Sequence, residues 1–294
     1  MNSFSIDARQ RDMSTAFKQA DIDTAQLDAR VLMRGVTKLN DCEMIIMGER
    51  ALTPAEMCRA DAWQQARLDG KPVSRILGRR EFYGLNLVID ENVLDPRPDS
   101  EIMVDAVLQS PMPENIYVLD MGTGSGALLL AVLANAPKSW RGLGLDCSFA
   151  ALAVAQKNAK LLGLNKRCNF ICGDWGQSLQ HSTAQFDVIL ANPPYIAAQE
   201  LAVLPVAVRD YDPYGALYGG FDGLRAYANL LGDAAHLLKP DGMVLLEIGN
   251  KQAACVQALM QQAGLRPVRL LPDLAGRDRV VIGVQKMQKK QKRV

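Results

Sequence analysis

The chain has 294 residues and an almost balanced charge, with 33 Lys and Arg against 32 Asp and Glu. This length suits two domains of ordinary size, and the balanced charge argues against binding of nucleic acid through a globally basic surface. No apolar run approaches the ~18 residues of a membrane-spanning helix. The first residues, MNSFSIDARQRD, carry acids and lack the apolar core of a signal peptide. We therefore expect a cytoplasmic protein without membrane contact.

Six cysteines are scattered along the chain and form no C-x-x-C pair; they stand at positions 42, 58, 147, 168, 172 and 255. In a cytoplasmic protein such thiols are expected to be reduced and to pack as small apolar side chains. Only two histidines, His181 and His236, are present as further ligands. We therefore predict no metal site.

Residues 1–78 have the pattern of a helical domain. Apolar side chains recur at helical spacing in DARVLMRGV and MCRADAWQQARL, and the alternation typical of strands is absent. Thr53 and Pro54 are typical of a helix start, with proline at the first helical position. We expect three to five helices. In residues 79–98 the apolar period falls to about two within EFYGLNLVIDENVL, which predicts a β-hairpin linker.

Residues 99–286 alternate between strand and helix. Five short apolar runs each end in Gly, Asp, Asn or Pro; they are IYVLDMG, WRGLGLD, NFICGD, FDVILANPP and GMVLLEIG. Continuous apolar strands separated by helices indicate a mostly parallel sheet with both faces covered. LRPVRLLPD and RVVIGVQ add two strands, the last of them antiparallel. We predict an α/β, Rossmann-like domain, followed by a basic tail at 287–294 that is disordered and solvated.

A glycine-rich loop follows the first strand of this domain. Asp120 ends the strand, and Gly122, Gly124 and Gly126 lead into a helix. Such a turn lets a ligand approach the backbone at a helix N-terminus. Asp146 ends the next strand, where a carboxylate accepts from ribose hydroxyls. The loop also satisfies the dinucleotide pattern G-x-G-x-x-[GA], so these features leave a methyltransferase, a dehydrogenase and a structural turn open.

The later strand ends favour the methyltransferase. Ligands of an open parallel sheet bind outside the carboxyl ends of its strands, so Asp174, Trp175 and Asn192 should lie in the same crevice as the loop. Asp174 is suited to accept from an adenine amino group, and Trp175 offers a flat apolar wall. Helix capping and core packing remain alternatives for these two residues. No residue suited to hydride transfer follows a strand.

The backbone is stiffened directly after the fourth strand by two consecutive prolines, in the segment Asn192, Pro193, Pro194 and Tyr195. Proline fixes φ near −65° and restricts the residue before it, so the Pro193 carbonyl has a direction set by sequence. A loop punctuated by prolines is the ordinary interpretation. The alternative is a site that needs a fixed carbonyl beside a fixed side-chain amide.

With these residues the chain resembles the class I S-adenosylmethionine-dependent methyltransferases and, more narrowly, the HemK/PrmC-type release factor glutamine methyltransferases. The resemblance covers nearly the whole chain. It rests on segments in that family's order: GRREFYG, PRPDSE, DMGTGSG, GDW, NPPYI, ALYGGFDGL, LEIGNKQ and DLAGRDRVV. The NPPY motif alone is shared with enzymes that methylate exocyclic amines of nucleic-acid bases, whereas the set of motifs is highly specific.

The resemblance implies S-adenosylmethionine as cofactor and assigns residues to it. The methionine part would be held by the loop after Asp120, the ribose by Asp146 and the adenine side by Trp175. The loop residues are Gly122, Thr123, Gly124, Ser125 and Gly126. The substrate would be the glutamine of the Gly-Gly-Gln loop of peptide chain release factors 1 and 2, held by Asn192, Pro193, Pro194 and Tyr195. The helical domain would recognise the release factor, and we expect a monomer.

Three segments depart from the family's usual pattern. LDPRPDSE, starting at Leu94, replaces IPRPETE, Arg75 replaces an aromatic residue, and DPYGAL, starting at Asp212, replaces EP..AL. Acid and hydroxyl characters are largely kept, so the departures bear on substrate fit more than on activity. The roles of Arg97, Glu247 and Gln252 stay open at this stage.

An amide nitrogen is a poor nucleophile because its lone pair is delocalised. Two acceptors, the Asn192 side-chain oxygen and the Pro193 carbonyl, would hold its N–H bonds and orient it, while Tyr195 packs against the amide plane. We expect no general base. The alternative function is an N-methyltransferase for an exocyclic amine of a DNA or RNA base, which predicts a target-recognition domain or basic groove. A non-catalytic binding module would be expected to lose the glycine loop or the NPPY motif.

Overall fold

The computed structural model describes residues 4–179 and 185–285. These residues divide into two compact units. The first runs to Arg79 and also takes in Pro205–Tyr211, and the second comprises Arg80–Leu204 and the chain from Asp212 onward. The basic tail lies outside the described residues. In the described part of the chain, no helix combines the length and the apolar character needed to cross a bilayer.

The helices are α1 Ile6–Gln19, α2 Ala25–Thr37, α3 Asp41–Ile46, α4 Pro54–Leu68, α5 Val73–Leu77, α6 Glu101–Leu108, α7 Ala127–Asn135, α8 Phe149–Leu161, α9 Ala198–Leu201, α10 Val206–Arg209, α11 Tyr214–Leu217, α12 Arg225–Leu237 and α13 Ala253–Gln262. The strands are β1 Arg79–Phe82, β2 Leu85–Val88, β3 Tyr117–Met121, β4 Arg141–Asp146, β5 Cys168–Cys172, β6 Phe186–Ala191, β7 Leu238–Glu247, β8 Leu265–Pro272 and β9 Asp278–Gln285.

The first unit is helical, as its apolar spacing predicts. Helices α1, α2 and α4 bury side chains that include Phe17, Leu32 and Ala60 in one core. At the start of α4 the Thr53 hydroxyl accepts from the Glu56 amide at 3.2 Å, and the Glu56 carboxylate accepts from the Thr53 amide at 2.9 Å. This capping box satisfies two amides at the helix start. The predicted helix start at Thr53-Pro54 is confirmed.

The second unit contains the predicted hairpin and sheet. Strands β1 and β2 form a two-stranded sheet, and the other seven strands lie in the order β5-β4-β3-β6-β7-β9-β8. Strands β3 to β7 are parallel, while β9 pairs antiparallel with both β7 and β8. The predicted Rossmann-like class I methyltransferase fold is confirmed, including its antiparallel last strand.

Both faces of the sheet are buried, which explains the continuous apolar strands. Alternate residues point to opposite faces: Val118 joins one hydrophobic core, while Leu119 and Met121 join the other. Helix α7 is buried from Ala127 to Leu133, and a side chain at Gly142 would come within 2.4 Å of Leu129. The helix therefore packs directly onto β4.

Parallel pairing brings the carboxyl ends of β3, β4, β5, β6 and β7 to one edge of the sheet. Asp120 is the penultimate residue of β3, and the residues that end or follow the other four strands are Asp146, Gly173, Asn192 and Glu247. The site residues chosen from the sequence therefore meet because of strand order, although they are far apart along the chain.

Candidate active site

A cavity of about 270 Å³ opens at this edge of the sheet. This volume is just below the range of about 300–1,000 Å³ that is usual for small-molecule sites. Its wall includes most of the residues that the sequence singled out: Asp120, Gly122, Thr123, Gly124, Ser125, Asp146, Asp174, Trp175, Asn192 and Pro194. The cavity thus joins the glycine loop to the NPPY segment.

The glycine loop is held in shape by its own amides. Gly122, Gly124 and Gly126 have φ of 74°, 53° and 82°, values that favour glycine. The amides of Gly122 and Thr123 both donate to the Leu145 carbonyl, at 2.8 and 2.9 Å, and the Gly126 amide donates to the Thr123 carbonyl at 2.7 Å. These amides are not available to cradle a pyrophosphate, which argues against the dinucleotide alternative.

Asp120 places a buried carboxylate against the cavity. It is 1% exposed, and its Oδ2 accepts from the Thr123 hydroxyl at 2.6 Å. Its Oδ1 is buried and has no hydrogen-bond partner among the described residues. Burial raises the pKa of this carboxyl to about 7, although the hydrogen bond from Thr123 opposes the rise. An unpaired buried acceptor at the cavity wall is suited to a cationic ligand group.

Asp146 is oriented by two backbone amides. Its Oδ2 accepts from Gly124 and its Oδ1 from Ser148, both at 2.9 Å. Each carboxylate oxygen keeps a further lone pair, so Asp146 can still accept from ligand hydroxyls in the cavity. The same carboxylate links the loop to the end of β4.

Asp174 and Trp175 follow β5 in a turn that contains no helix start. Trp175 has a φ of 49°, and a Cβ at Gly122 would lie 3.7 Å from its ring. The indole therefore packs beside the glycine loop and against the hydrophobic core. Asp174 is exposed at the cavity wall. A flat ring and a carboxylate at one end of the cavity fit a heterocyclic ligand group that bears an amine.

The NPPY segment is fixed from behind by Gln252. The Gln252 Nε2 donates to the Tyr195 carbonyl at 3.0 Å and lies 3.2 Å from the Gly223 carbonyl. Its Oε1 accepts from the Gly249 amide at 2.9 Å. A Cβ at Gly223 would lie 2.3 Å from the Tyr195 oxygen. The segment after Asn192 is therefore held by a side chain that the sequence left without a role.

Glu247 forms a buried polar cluster with Ser100, Asn192 and Tyr195. The Ser100 hydroxyl bonds to Glu247 Oε2 and accepts from Asn192 Nδ2 at 3.3 Å. The Tyr195 hydroxyl donates to Glu247 Oε1 at 3.3 Å. Burial raises the pKa of Glu247, and burial together with the Glu247 charge raises the pKa of Tyr195.

A second part of the cavity wall was missed by sequence reasoning. It comes from the segment after the hairpin and from the segment around α11, and it includes Leu94, Pro96, Pro213, Gly215 and Ala216. These segments are joined by Asp212, which accepts from the Arg97 guanidinium at 2.5 Å and from the Asp95 amide at 3.2 Å. These two segments lie more than 100 residues apart along the chain, and no motif spacing in the sequence indicates that they contact each other.

Three predicted site residues do not line this cavity within the described part of the chain. A side chain at Gly126 would come within 3.0 Å of Leu130, so this glycine permits packing of α7. Pro193 is buried. Tyr195 packs against the hydrophobic core and bonds to Glu247. The roles assigned to these residues stay predictions.

Comparison with known proteins identifies two families along the chain. Residues 10–78 match the family described as PrmC N-terminal domain, and residues 113–291 match the family described as methyltransferase domain. Two relatives are both named release factor glutamine methyltransferase. The protein from Caulobacter vibrioides is 40% identical over 270 residues, 91% of this chain and 92% of the relative. The protein from Bradyrhizobium diazoefficiens is 39% identical over 284 residues, 94% of each.

A solved structure supports the fold. A methyltransferase from Pyrococcus furiosus aligns with a TM-score of 0.52 and 18% identity, covering 69% of this chain and 90% of that one. The relatives extend over both the helical and the sheet-containing parts. The chain therefore belongs to the release factor glutamine methyltransferase family.

Proposed function

We propose that the protein transfers a methyl group from S-adenosylmethionine to the side-chain amide nitrogen (N5) of the Gly-Gly-Gln glutamine in peptide chain release factors 1 and 2. The observation that carries the proposal is the shared cavity, which joins Asp120 and Asp146 to Asn192 in a chain whose relatives are named for this reaction. Methylation of the release factors would modulate translation termination. The proposal includes a monomeric, cytoplasmic enzyme with no stable nucleic-acid partner.

The proposed cofactor roles follow the chemistry of the cavity. Asp120 has a free buried oxygen to accept from the ammonium group, and Asp146 accepts from the ribose hydroxyls. Asp174 and Trp175 hold the adenine, while Gly122, Thr123, Gly124, Ser125 and Gly126 shape the surface against the methionine part. When bound, S-adenosylmethionine supplies an electrophilic methyl group on its sulfonium.

The NPPY segment positions the substrate amide. Asn192 Oδ1 and the Pro193 carbonyl accept the two N–H bonds of the glutamine, which fixes the amide plane and turns one face of the nitrogen toward the methyl group. The nitrogen becomes cationic as the N–C bond forms and the bond between the methyl group and sulfur breaks, which leaves S-adenosylhomocysteine as the second product. The two neutral acceptors stabilise the positive charge on nitrogen. Tyr195 and Pro194 border the amide and exclude water. The proton then passes to water, so no general base is required.

The domain proposal assigns recognition of the release factor to residues 1–78, with residues 79–98 as linker and 99–286 as methyltransferase domain. The assignment is supported by the match of residues 10–78 to the PrmC N-terminal domain family. Pro205–Tyr211 belongs to the helical unit, so the chain returns to that unit within the segment between Tyr195 and Asp212.

Methyl transfer to purified substrates tests the function directly. Radiolabelled S-adenosylmethionine is incubated with the protein and one substrate at a time. The substrates are release factor 1 or 2, the same release factor with its glutamine replaced by alanine, a DNA and an RNA. We expect label only in the release factor that keeps the glutamine. Label in DNA or RNA, with none in the release factor, would establish the exocyclic-amine alternative instead.

Asp146→Ala should weaken S-adenosylmethionine binding by about 10-fold or more, because a charge-assisted hydrogen bond contributes roughly 1.5–3 kcal/mol. Isothermal titration calorimetry measures the affinity. Glu114→Ala is the matched control, since Glu114 is an exposed acid outside the cavity. If Asp146→Ala leaves the affinity for S-adenosylmethionine unchanged, the role of Asp146 is structural and consists of its hydrogen bonds with Gly124 and Ser148.

A further inference from the structure

Two buried polar residues outside the proposed transfer step lie next to Asn192, and one of them, Ser100, also lines the cavity. Ser100 precedes α6 and is 3% exposed, and Glu247 ends β7 and is 1% exposed. The Ser100 hydroxyl lies between the Glu247 carboxylate and the Asn192 amide, 3.3 Å from Asn192 Nδ2. Burial of a carboxylate is costly unless its oxygens are hydrogen-bonded. Packing alone therefore does not explain why a carboxylate is buried at this position.

The hydrogen-bonding capacity of Ser100 determines which way the Asn192 amide faces. A serine hydroxyl has one hydrogen to donate, and an ionised carboxylate can only accept. When Glu247 is ionised, Ser100 donates its hydrogen to Glu247 Oε2 and can only accept from Asn192. Asn192 must then present Nδ2 to Ser100, which turns its Oδ1 away from Ser100.

Protonation of Glu247 reverses this chain of hydrogen bonds. The carboxylic acid then donates to Ser100, and the Ser100 hydrogen turns to Asn192. Asn192 accepts it through Oδ1 and rotates its NH₂ group to the opposite side. A substrate NH₂ group in that position would meet a donor instead of an acceptor, so the two groups could form no hydrogen bond.

We propose that Ser100 and Glu247 are positioning residues that select the substrate-accepting orientation of the Asn192 amide, and that they do so only when Glu247 is ionised. The inference rests on the proposed function, because it concerns a substrate that offers an NH₂ group. It assigns a shared task to the PRPDSE and LEIGNKQ segments, whose residues meet only in the folded chain.

The charged and titratable groups around Glu247 determine the direction in which its pKa is shifted. Burial raises the Glu247 pKa above its ordinary value, and the Asp99 charge acts in the same direction. Hydrogen bonds from Ser100 and Tyr195 and the charge of Arg279 on β9 oppose the rise. Helix α12 contributes Tyr227, whose hydroxyl donates to the Glu247 main-chain carbonyl at 2.8 Å. Glu247 therefore gains its proton at a higher pH than an ordinary glutamate does.

Ser100→Ala removes the hydroxyl between the two groups. At saturating S-adenosylmethionine and release factor, we expect kcat to fall about tenfold, on the scale of one hydrogen bond, while the cofactor Kd measured by calorimetry stays within about twofold. Ser100→Thr keeps the hydroxyl and should restore kcat; threonine is the usual residue here in the family that the sequence resembles. An unchanged cofactor Kd also shows that the alanine variant is folded.

Two further measurements separate orientation from packing. In an Asn192→Ala background there is no amide to orient, so adding Ser100→Ala should cause no further loss of single-turnover rate. The kcat of the wild-type chain should fall on acidification as Glu247 gains its proton, and Ser100→Ala should abolish this acid limb because the proton no longer acts on Asn192.

The inference is overturned if Ser100→Ala retains the wild-type kcat, if its loss is equally large without the Asn192 amide, or if its acid limb is unchanged. These outcomes all presuppose a wild-type chain that methylates the glutamine. A wild-type chain that leaves the glutamine unmodified would contradict the proposed function instead, so the two failures are distinguishable.

Discussion

Asn192→Ala should reduce methyl transfer to the release factor by about 10² or more, while S-adenosylmethionine still binds within several-fold of the wild-type affinity. Removal of one preorganised polar contact to the reacting group costs on this scale. The alanine leaves the Pro193 carbonyl as the remaining acceptor, so one N–H bond of the substrate is no longer held. Single-turnover rates with labelled cofactor measure the loss.

A matched control for this variant is Asn169→Ala, an exposed asparagine on β5 outside the cavity wall. It should transfer methyl groups at the wild-type rate. A rate within tenfold of wild type for Asn192→Ala would mean that the Pro193 carbonyl and proximity alone carry the step. The two-acceptor mechanism would then be wrong.

Asp120→Asn should increase the stability of the ligand-free chain and decrease its affinity for S-adenosylmethionine. Burial raises the Asp120 pKa to about 7 in the folded chain, whereas an unfolded Asp titrates near about 3.9. Between these values the folded chain binds more protons than the unfolded chain, so stability falls as pH rises toward 7. Asparagine keeps an acceptor for Thr123 and removes this penalty.

The expected gain at pH 8 is about 1 kcal/mol or more, or roughly 2–4 °C in Tm. It should shrink toward pH 5, where the native carboxyl is protonated. Calorimetric titration should show cofactor binding weakened about 10-fold to 100-fold, because the charge-assisted bond to the ammonium group is lost. Glu114→Gln, at an exposed acid, is the control and should change neither quantity. A lower Tm for Asp120→Asn at pH 8 would contradict the proposed cost of the buried charge.

The elements and the glycine loop could be predicted because their signals are local. A strand buried on both faces carries a continuous apolar run, as from Tyr117 to Leu119 in β3, and a capped helix start requires only neighbouring residues such as Thr53 and Glu56. The loop at Gly122–Gly126 likewise lies within one short stretch. Parallel strand order then placed Asp146 and Asn192 beside that loop, as the general rule for open sheets predicts.

The missed parts of the site depend on contacts between distant segments. Arg97 pairs with Asp212, and Ser100 with Glu247, without any periodicity or spacing that relates the partners. Gln252 also bonds to residues that are distant along the chain, because its side chain donates to the carbonyls of Tyr195 and Gly223. Side-chain partners of this kind follow from the final packing of loops, which a local pattern does not encode.

The sequence by itself determined the helical and α/β parts of the chain and the position of the glycine loop, and it predicted that Asn192 and Pro193 hold an amide-type nitrogen. Those features depend on backbone preferences and on burial of continuous apolar runs, both of which act over a few residues. Only the tertiary structure decided which polar groups line the cavity and which groups they bond to. Ser100 bonds Asn192 on one side and Glu247 on the other because the segment before α6 and the end of β7 meet at the same edge of the sheet.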